Sequence, residues 1–287
     1  MANETTSTSL AGLVEDISGE SIMILQDNAG LLELVRHVDT MGTPGKTYDF
    51  PIFGEVASTD VTQVAEGTDH STNKEISNAD TAATVDEHVI MAVATKLAVE
   101  SAREDVVAEI STLFASAMNA KLEDDIVGLA SGFTQTVCGA AVSMTIDHWY
   151  DAIRQIKAAN GNLRDLAAAL SPLSYYGSKG LRALLVSTSA INAGTVAQKW
   201  LEMGMVDTQF GMPAVISNEI AEDVGTSDVS ANMIWTRGAI GVHTKDLMDV
   251  EEQPNASLRG KEIVATGRWK QVELVDAWGV YFACNNA

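Results

Sequence analysis

Positive charge is what this sequence has least of. Its 287 residues carry 18 lysines and arginines against 39 aspartates and glutamates, a net charge of −21. The imbalance is greatest in the first hundred residues, where Arg36, Lys46, Lys74 and Lys96 face 17 acids. A surface this negative repels phosphate backbones, which argues against nucleic-acid recognition through a basic patch. It also keeps crowded copies soluble. Cysteine is nearly absent. Cys138 and Cys284 lie far apart without metal-ligand or redox spacing. They read as small buried hydrophobes in a reducing compartment, with a structural disulfide as the alternative. The opening Met1-Ala-Asn-Glu-Thr-Thr has neither a basic n-region nor an apolar h-region, so no secretory signal is expected. No apolar run approaches the ~20 residues that cross a bilayer as a helix. A chain made and kept in a cytoplasm is the expectation.

Catalytic signatures are missing as well. His37, His70, His88, His148 and His243 are never paired three or four residues apart, so no helical zinc site is expected. There is no Gly-x-Ser-x-Gly elbow, no P-loop and no dinucleotide Gly-x-Gly-x-x-Gly. The doublets Asp124-Asp125 and Glu251-Glu252 read as solvated charge, because neighbouring side chains on a helix diverge. Lys74 invites a cross-linking hypothesis and reads as a plain solvated lysine. Trp149, Trp200, Trp235, Trp269 and Trp278 are dispersed, as core or interface anchors are. With an apolar fraction of 46% the chain has ample material for a core. A large core without a catalytic constellation points to a structural protein, with no enzymatic activity, cofactor or resident metal.

What the sequence does contain is a polar arm from about Lys46 to Leu97. Tyr48, Phe50 and Ile52 alternate on its outgoing side, and Val85, Val89, Met91, Val93 and Leu97 mark the return. Between them, Ala57 to Ala83 is too polar to form a core. A two-stranded ribbon alone is marginal in water, so the arm is expected to dock on another molecule. Directly after it, Ser101-Ala-Arg-Glu104 fits a capping box that opens a long helix. Val106, Ile110, Leu113, Phe114, Ala117, Met118, Leu122, Ile126 and Leu129 form one apolar stripe. Glu104, Asp105, Glu109, Asn119, Glu123 and Asp124 are placed on the solvated side. Up to Leu129 the helix is roughly 40 Å long, and Gly128 and Gly132 end it.

From Thr145 the texture changes to short alternating elements. Thr145 caps a helix that stops at Asn160-Gly161, and Leu166 to Leu170 reads as a buried strand. Ser178 to Val186 reads as helical, and a loop at Ala193-Gly194 leads to Trp200. Met212 to Ser217 is strand-like and precedes an acidic turn at Ala221 to Ser227. Met233 to Val242 reads as a strand pair or bent strand. This block, 135–245, is expected to be an α/β unit. Ile263 to Gly267 and Val272 to Phe282 read as strands turning at Arg268 to Lys270 and packing on the long helix. Residues 1–20 read as a flexible or partner-ordered arm.

In this order the elements resemble the major capsid proteins of tailed double-stranded DNA phages, the Hong Kong 97-type capsid fold. The resemblance runs through Val64-Ala-Glu-Gly-Thr68 near the arm's tip, the Thr84–Val99 return strand and the helix at 101–129. It continues through Leu170-Ser-Pro-Leu-Ser-Tyr175, Phe210-Gly-Met-Pro-Ala-Val215, Ala239-Ile-Gly-Val242 and the Gly267 to Phe282 segment. It implies an α+β fold with an N-terminal arm at 1–45 and an extended β loop at 46–98. The spine helix of a peripheral domain follows at 99–134, an α/β axial domain at 135–245, and peripheral C-terminal strands at 246–287. The implied function is self-assembly into hexamers and pentamers of an icosahedral shell enclosing packaged DNA. The loop would reach over a neighbouring subunit, with Val64, Glu66, Gly67, Thr68 and Lys74 as candidate contacts. The implied partners are many copies of the chain itself, portal and decoration proteins, and DNA held without sequence-specific binding; no membrane is involved. No long helical extension precedes the N-terminal arm, so a separate scaffolding protein is expected. The implied location is the virion, after assembly in the host cytoplasm. An encapsulin-like compartment shell or another virion structural protein is the alternative, and no covalent cross-link is assigned.

Overall fold

The computed structural model describes residues 4–5, 30–70, 74–101, 106–139, 142–177, 179–181, 208–209, 212–223 and 229–285. The chain begins with β1 (Glu4–Thr5), a 3-10 turn at Leu31–Leu34, β2 (Arg36–Asp39), β3 (Thr47–Phe53), β4 (Asn78–Thr84) and β5 (Asp86–Thr95). Two helices follow, α1 (Lys96–Ser101) and α2 (Val106–Gly128), the second running into a 3-10 turn at Leu129–Gly132. Next come β6 (Thr136–Val137), α3 (Ile146–Ala158), β7 (Leu166–Leu170), α4 (Pro172–Tyr176), β8 (Thr208–Gln209), β9 (Met212–Ile216) and β10 (Glu222–Asp223). Four strands finish the chain: β11 (Val229–Thr236), β12 (Ile240–Asn255), β13 (Gly260–Glu273) and β14 (Gly279–Asn285).

These strands make two sheets and a free ribbon. The five-stranded sheet has the order β1-β5-β13-β12-β2. The seven-stranded sheet runs β6-β14-β11-β7-β9-β8, with β10 also on β11. The ribbon is β3 with β4. Helix α2 joins the sheets through most of its expected stripe, Leu113 being 38% exposed instead. Ile110, Phe114, Met118, Leu122 and Ile126 share one core with Ile263, Ala265 and Trp269 of β13 and with Met233 and Trp235 of β11. A second core lies on the other face of the seven-stranded sheet, where Trp149, Ala152 and Ile156 of α3 meet Leu170, Ile234, Val280 and Phe282. Strand β7 is therefore covered on both faces, with Ala167 and Ala169 in the first core and Ala168 and Leu170 in the second, as a two-residue period requires. Helix α3 starts as expected, with the Thr145 hydroxyl accepting from the His148 amide at 3.4 Å. It ends at Asn160, which has a left-handed φ of 59°.

The motif Leu170-Ser-Pro-Leu-Ser-Tyr175 turns out to organise a buried polar knot. Asn232 accepts from the Ser171 amide at 2.8 Å and donates to the Ser174 hydroxyl at 2.8 Å and the Phe282 carbonyl at 3.2 Å. All three serine and asparagine side chains are fully buried. Asn232→Ala strands several of these groups and is expected to cost roughly 2–4 kcal/mol in urea denaturation. An unchanged midpoint would refute the knot's importance.

Several expectations need correction. Helical structure begins at Lys96, so Ser101 ends α1 and is not an N-cap; residues 102–104 of the expected capping box lie outside the described residues. Glu123 is not on the solvated side. It is 3% exposed, accepting from the Gly30 amide at 2.7 Å and the Ser217 hydroxyl at 3.4 Å. Asp125 is no free doublet member: it pairs with Lys121 at 2.8 Å and accepts from Trp269 Nε1 at 2.9 Å, beneath the stacked His88 ring. Arg268 to Lys270 is not a turn but mid-strand in β13, because Trp269 faces the core there. The sheets also divide the chain differently from the expected boundaries. The change of sheet falls between β11 and β12, ahead of 245, and β14 returns to the seven-stranded sheet. Both crossings meet at Ala239, whose carbonyl accepts from the Leu274 and Val275 amides at 2.7 and 3.3 Å. The expected helix at Ser178 to Val186 and the loop toward Trp200 lie almost wholly outside the described residues.

Cys138 and Cys284 are not separate thiols. Parallel pairing of β6 with β14 carries them together, and they form a disulfide with Cα atoms 5.3 Å apart. Sequence spacing holds no trace of this, because the pairing joins segments 146 positions apart.

At the second crossing, burial foremost, then the Asp276 charge and hydrogen bond, lift the Glu273 carboxyl above the usual glutamate range. A raised folded-state pKa contributes stability in acid and loses it as pH rises through that value. Glu273→Gln removes the charge, and is expected to raise the melting temperature by about 1–2 °C near neutral pH. The gain should vanish below the ordinary glutamate range, and paired melts across pH would check this.

Candidate intersubunit surface

The arm has a built root and an unsupported length. At the root, Phe50 of β3 and Ala83 of β4 are fully buried. The Tyr48 ring meets Phe50 edge-on at 4.9 Å, and the Arg36 guanidinium lies 5.5 Å from the Phe50 centroid. Beneath them sits His243 of β12, buried, with its ring 5.7 Å from Tyr48. A carbonyl can only accept, so His243 Nδ1 donates to Ala83 O at 3.0 Å, and its Nε2 contacts the Thr40 hydroxyl at 2.7 Å. Beside it, His37 Nε2 contacts Thr244 Oγ1 at 2.6 Å. Burial holds His37 below the usual histidine range; Asp39 opposes that shift and His243 adds to it. Lys245 donates to the Gly45 carbonyl at 2.5 Å, and Val85 to Lys46 at 2.9 Å, where the ribbon leaves the sheet.

Outward from the root, support ends. Every described residue from Phe53 to Asp80 is exposed except the half-buried Asp60. Phe53 is 71% exposed, Val61 78% and Ile76 61%. Local bonds give the segment shape without giving it a core. Gly54 donates to Ser77 at 2.8 Å, Lys74 pairs with Asp60 at 2.8 Å, and Glu55 accepts from Asn160 at the end of α3. The tip is a turn closed by the Thr68 amide on the Ala65 carbonyl at 3.1 Å. Gly67 lies at φ 80°, the conformation a type II turn requires at that position.

The sequence-predicted residues separate into two places. Val64, Glu66, Gly67 and Thr68 lie together at the tip, whereas Lys74 sits on the returning limb, half exposed and ion-paired. The return limb itself is shorter than expected. It ends at Thr84, and Val89 to Val93 belong to β5 in the five-stranded sheet, paired with β13. On β5 the core side is Ile90, Ala92 and Ala94, while Val89 and Met91 are about 60% exposed. Sequence reasoning missed His243 and Thr40 at the root, which no local pattern marks. Val61 and Ile76 were visible as isolated apolar residues in a polar stretch. From Lys46 to Thr84 there are seven carboxylates and two lysines, and one of those lysines is already committed to Asp60. Chemically, the arm is an acidic, apolar-studded strap with a fixed base.

The fold as a whole, an α+β subunit with strap, long helix and two sheets, is that of tailed-phage capsid proteins of the Hong Kong 97 type. It superposes on the capsid structure of cyanophage P-SCSP1u with a TM-score of 0.68 at 15% identity, covering 95% of this chain and 93% of that one. A structure from Mycobacterium phage Che8 gives 0.68 at 13% identity, covering 93% and 97%. The capsid of an empty GTA particle gives 0.66 at 13% identity, covering 99% of both chains. At these identities the likeness is one of fold. No family model and no curated protein matches the sequence.

Proposed function

We propose that this chain is the major capsid protein of a tailed phage, a non-enzymatic building block that assembles through its strap into hexamers and pentamers of an icosahedral shell around packaged double-stranded DNA. The observation that carries the reading is the strap: exposed Phe53, Val61 and Ile76 on an arm whose root is buried and fixed. Apolar side chains held out in water on an anchored support are what a neighbouring copy would cover. The phage-capsid fold supports the same reading. Assembly in the host cytoplasm, with a separate scaffolding protein, a portal and decoration proteins, completes the proposal. With a net charge of −21, subunits repel one another at low salt, so assembly should rise with ionic strength. The test is the purified chain, alone and co-expressed with its scaffold, examined by analytical ultracentrifugation and negative-stain microscopy over a salt series. Megadalton closed particles are expected. A strictly monomeric species under every condition would overturn the proposal.

A further inference from the structure

The disulfide has a third neighbour. Donor atoms of Cys138, His148 and Cys284 all lie within 4.8 Å of one another, and among the described residues no other trio of histidine, cysteine or carboxylate donors gathers so closely. The three come from separate elements: the residue after β6, the first turn of α3, and β14. Cys284 is fully buried, and the other two are half-buried. The imidazole is held in place, its Nδ1 lying 3.2 Å from the Thr145 amide and 3.0 Å from the Thr145 hydroxyl. A neutral imidazole adds nothing to a disulfide. Beside two thiolates it completes an N/S set that suits borderline-soft ions, and the absence of a carboxylate from the trio disfavours magnesium and calcium.

We propose that the reduced protein binds one zinc-class divalent cation through Cys138, His148 and Cys284, with the fourth position open to water. Metal and disulfide are then alternatives at one place. Reduction by a phosphine breaks the S–S bond, with water supplying the oxygen of the phosphine oxide and the two thiol protons. Metal binding releases both thiol protons as two S–metal bonds form, and the imidazole ligates through Nε2, its ring proton moving to Nδ1, which then donates to the Thr145 hydroxyl instead of accepting from the Thr145 amide. Tetrahedral thiolates at ~2.3 Å from a metal stand somewhat under 4 Å apart. Cα atoms at 5.3 Å permit that separation. Either linkage fastens β14 to the entry of the seven-stranded sheet. The inference is independent of the shell reading, because its readout is spectroscopic on the subunit.

The experiment titrates phosphine-reduced protein with Co2+ and then with Zn2+. One Co2+ per chain is expected, with near-ultraviolet thiolate-to-cobalt charge transfer, tetrahedral d–d bands, release of about two protons, and displacement by Zn2+. The oxidised protein should show none of this. Cys284→Ser risks the fold at a buried position, so His148→Gln is the second variant. Glutamine at the third helical position still reaches back to the Thr145 amide, preserving the cap while removing the ligand. It should weaken Co2+ binding by at least about tenfold while keeping the charge-transfer band. Missing charge transfer in the reduced wild type, equal binding by the oxidised protein, or unchanged affinity in His148→Gln would each overturn the proposal.

Discussion

Replacing residues 54–77 with a two-residue Asn-Gly turn is expected to give a folded, soluble subunit that forms no closed particles. Phe53 and Asn78 are already paired across the ribbon, so a type I′ turn can join them without disturbing the root at Phe50, Ala83 and His243. Shortening the loop lowers its closure entropy, which favours the folded subunit by about 2 kcal/mol, partly offset by loss of the Glu55–Asn160 contact. Assembly responds in the opposite direction. Each exposed apolar side chain that a neighbour would cover contributes about 1.5–3 kcal/mol. The point variants Val61→Asp and Ile76→Asp separate chemistry from length, and together should reduce particle yield to background at unchanged thermal stability. Sucrose-gradient yield beside a melting curve gives both readings. Normal particles from the shortened chain would show that the strap is not an intersubunit device.

Loss of the Cys138–Cys284 link is the second large effect. The bridge closes a loop spanning 146 positions, and the chain-entropy model gives about 5 kcal/mol for such a length, with measured values for native bridges of about 2–5 kcal/mol. Oxidised wild type and Cys138→Ser/Cys284→Ser should therefore differ by roughly 3–5 kcal/mol in urea. Chelator belongs in both samples, since a bound ion would restore part of the constraint. Phosphine treatment of the wild type should reproduce the variant's midpoint. If reduction leaves the midpoint unmoved, the bridge does not contribute in solution.

The parts of this fold legible in sequence are those set by local periodicity and caps. The stripe Ile110, Phe114, Met118, Leu122, Ile126 and the Thr145 cap read directly, since neighbours three or four residues apart decide them. The polar strap also read directly, because too few apolar residues leave no core to form. What failed depends on long-range pairing. Glu123 lies on a face that looks solvated until Gly30 and Ser217 arrive to receive it. Val89 and Met91 alternate as well as Ile90 and Ala92 do, and only the placement of α2 decides which pair faces the core. The anchor between His243 and Ala83 spans 160 positions. The Arg268 to Lys270 segment looks like a turn by charge, yet Trp269 between them buries its ring and makes the segment a strand.

The strand order carries a consequence for timing. Strand β13 lies between β5 and β12, and β14 lies between β6 and β11, so the two described strands furthest along the chain are each interior to a sheet. Neither sheet can close while the ribosome still holds residues 260–285, however early the helices form. Until residues 260–285 have emerged, β5 and β11 are each left an open edge. A product truncated before Gly260 has two gaps where strands belong and no finished base for the strap. A fixed base for the strap thus depends on strands made long after the strap itself.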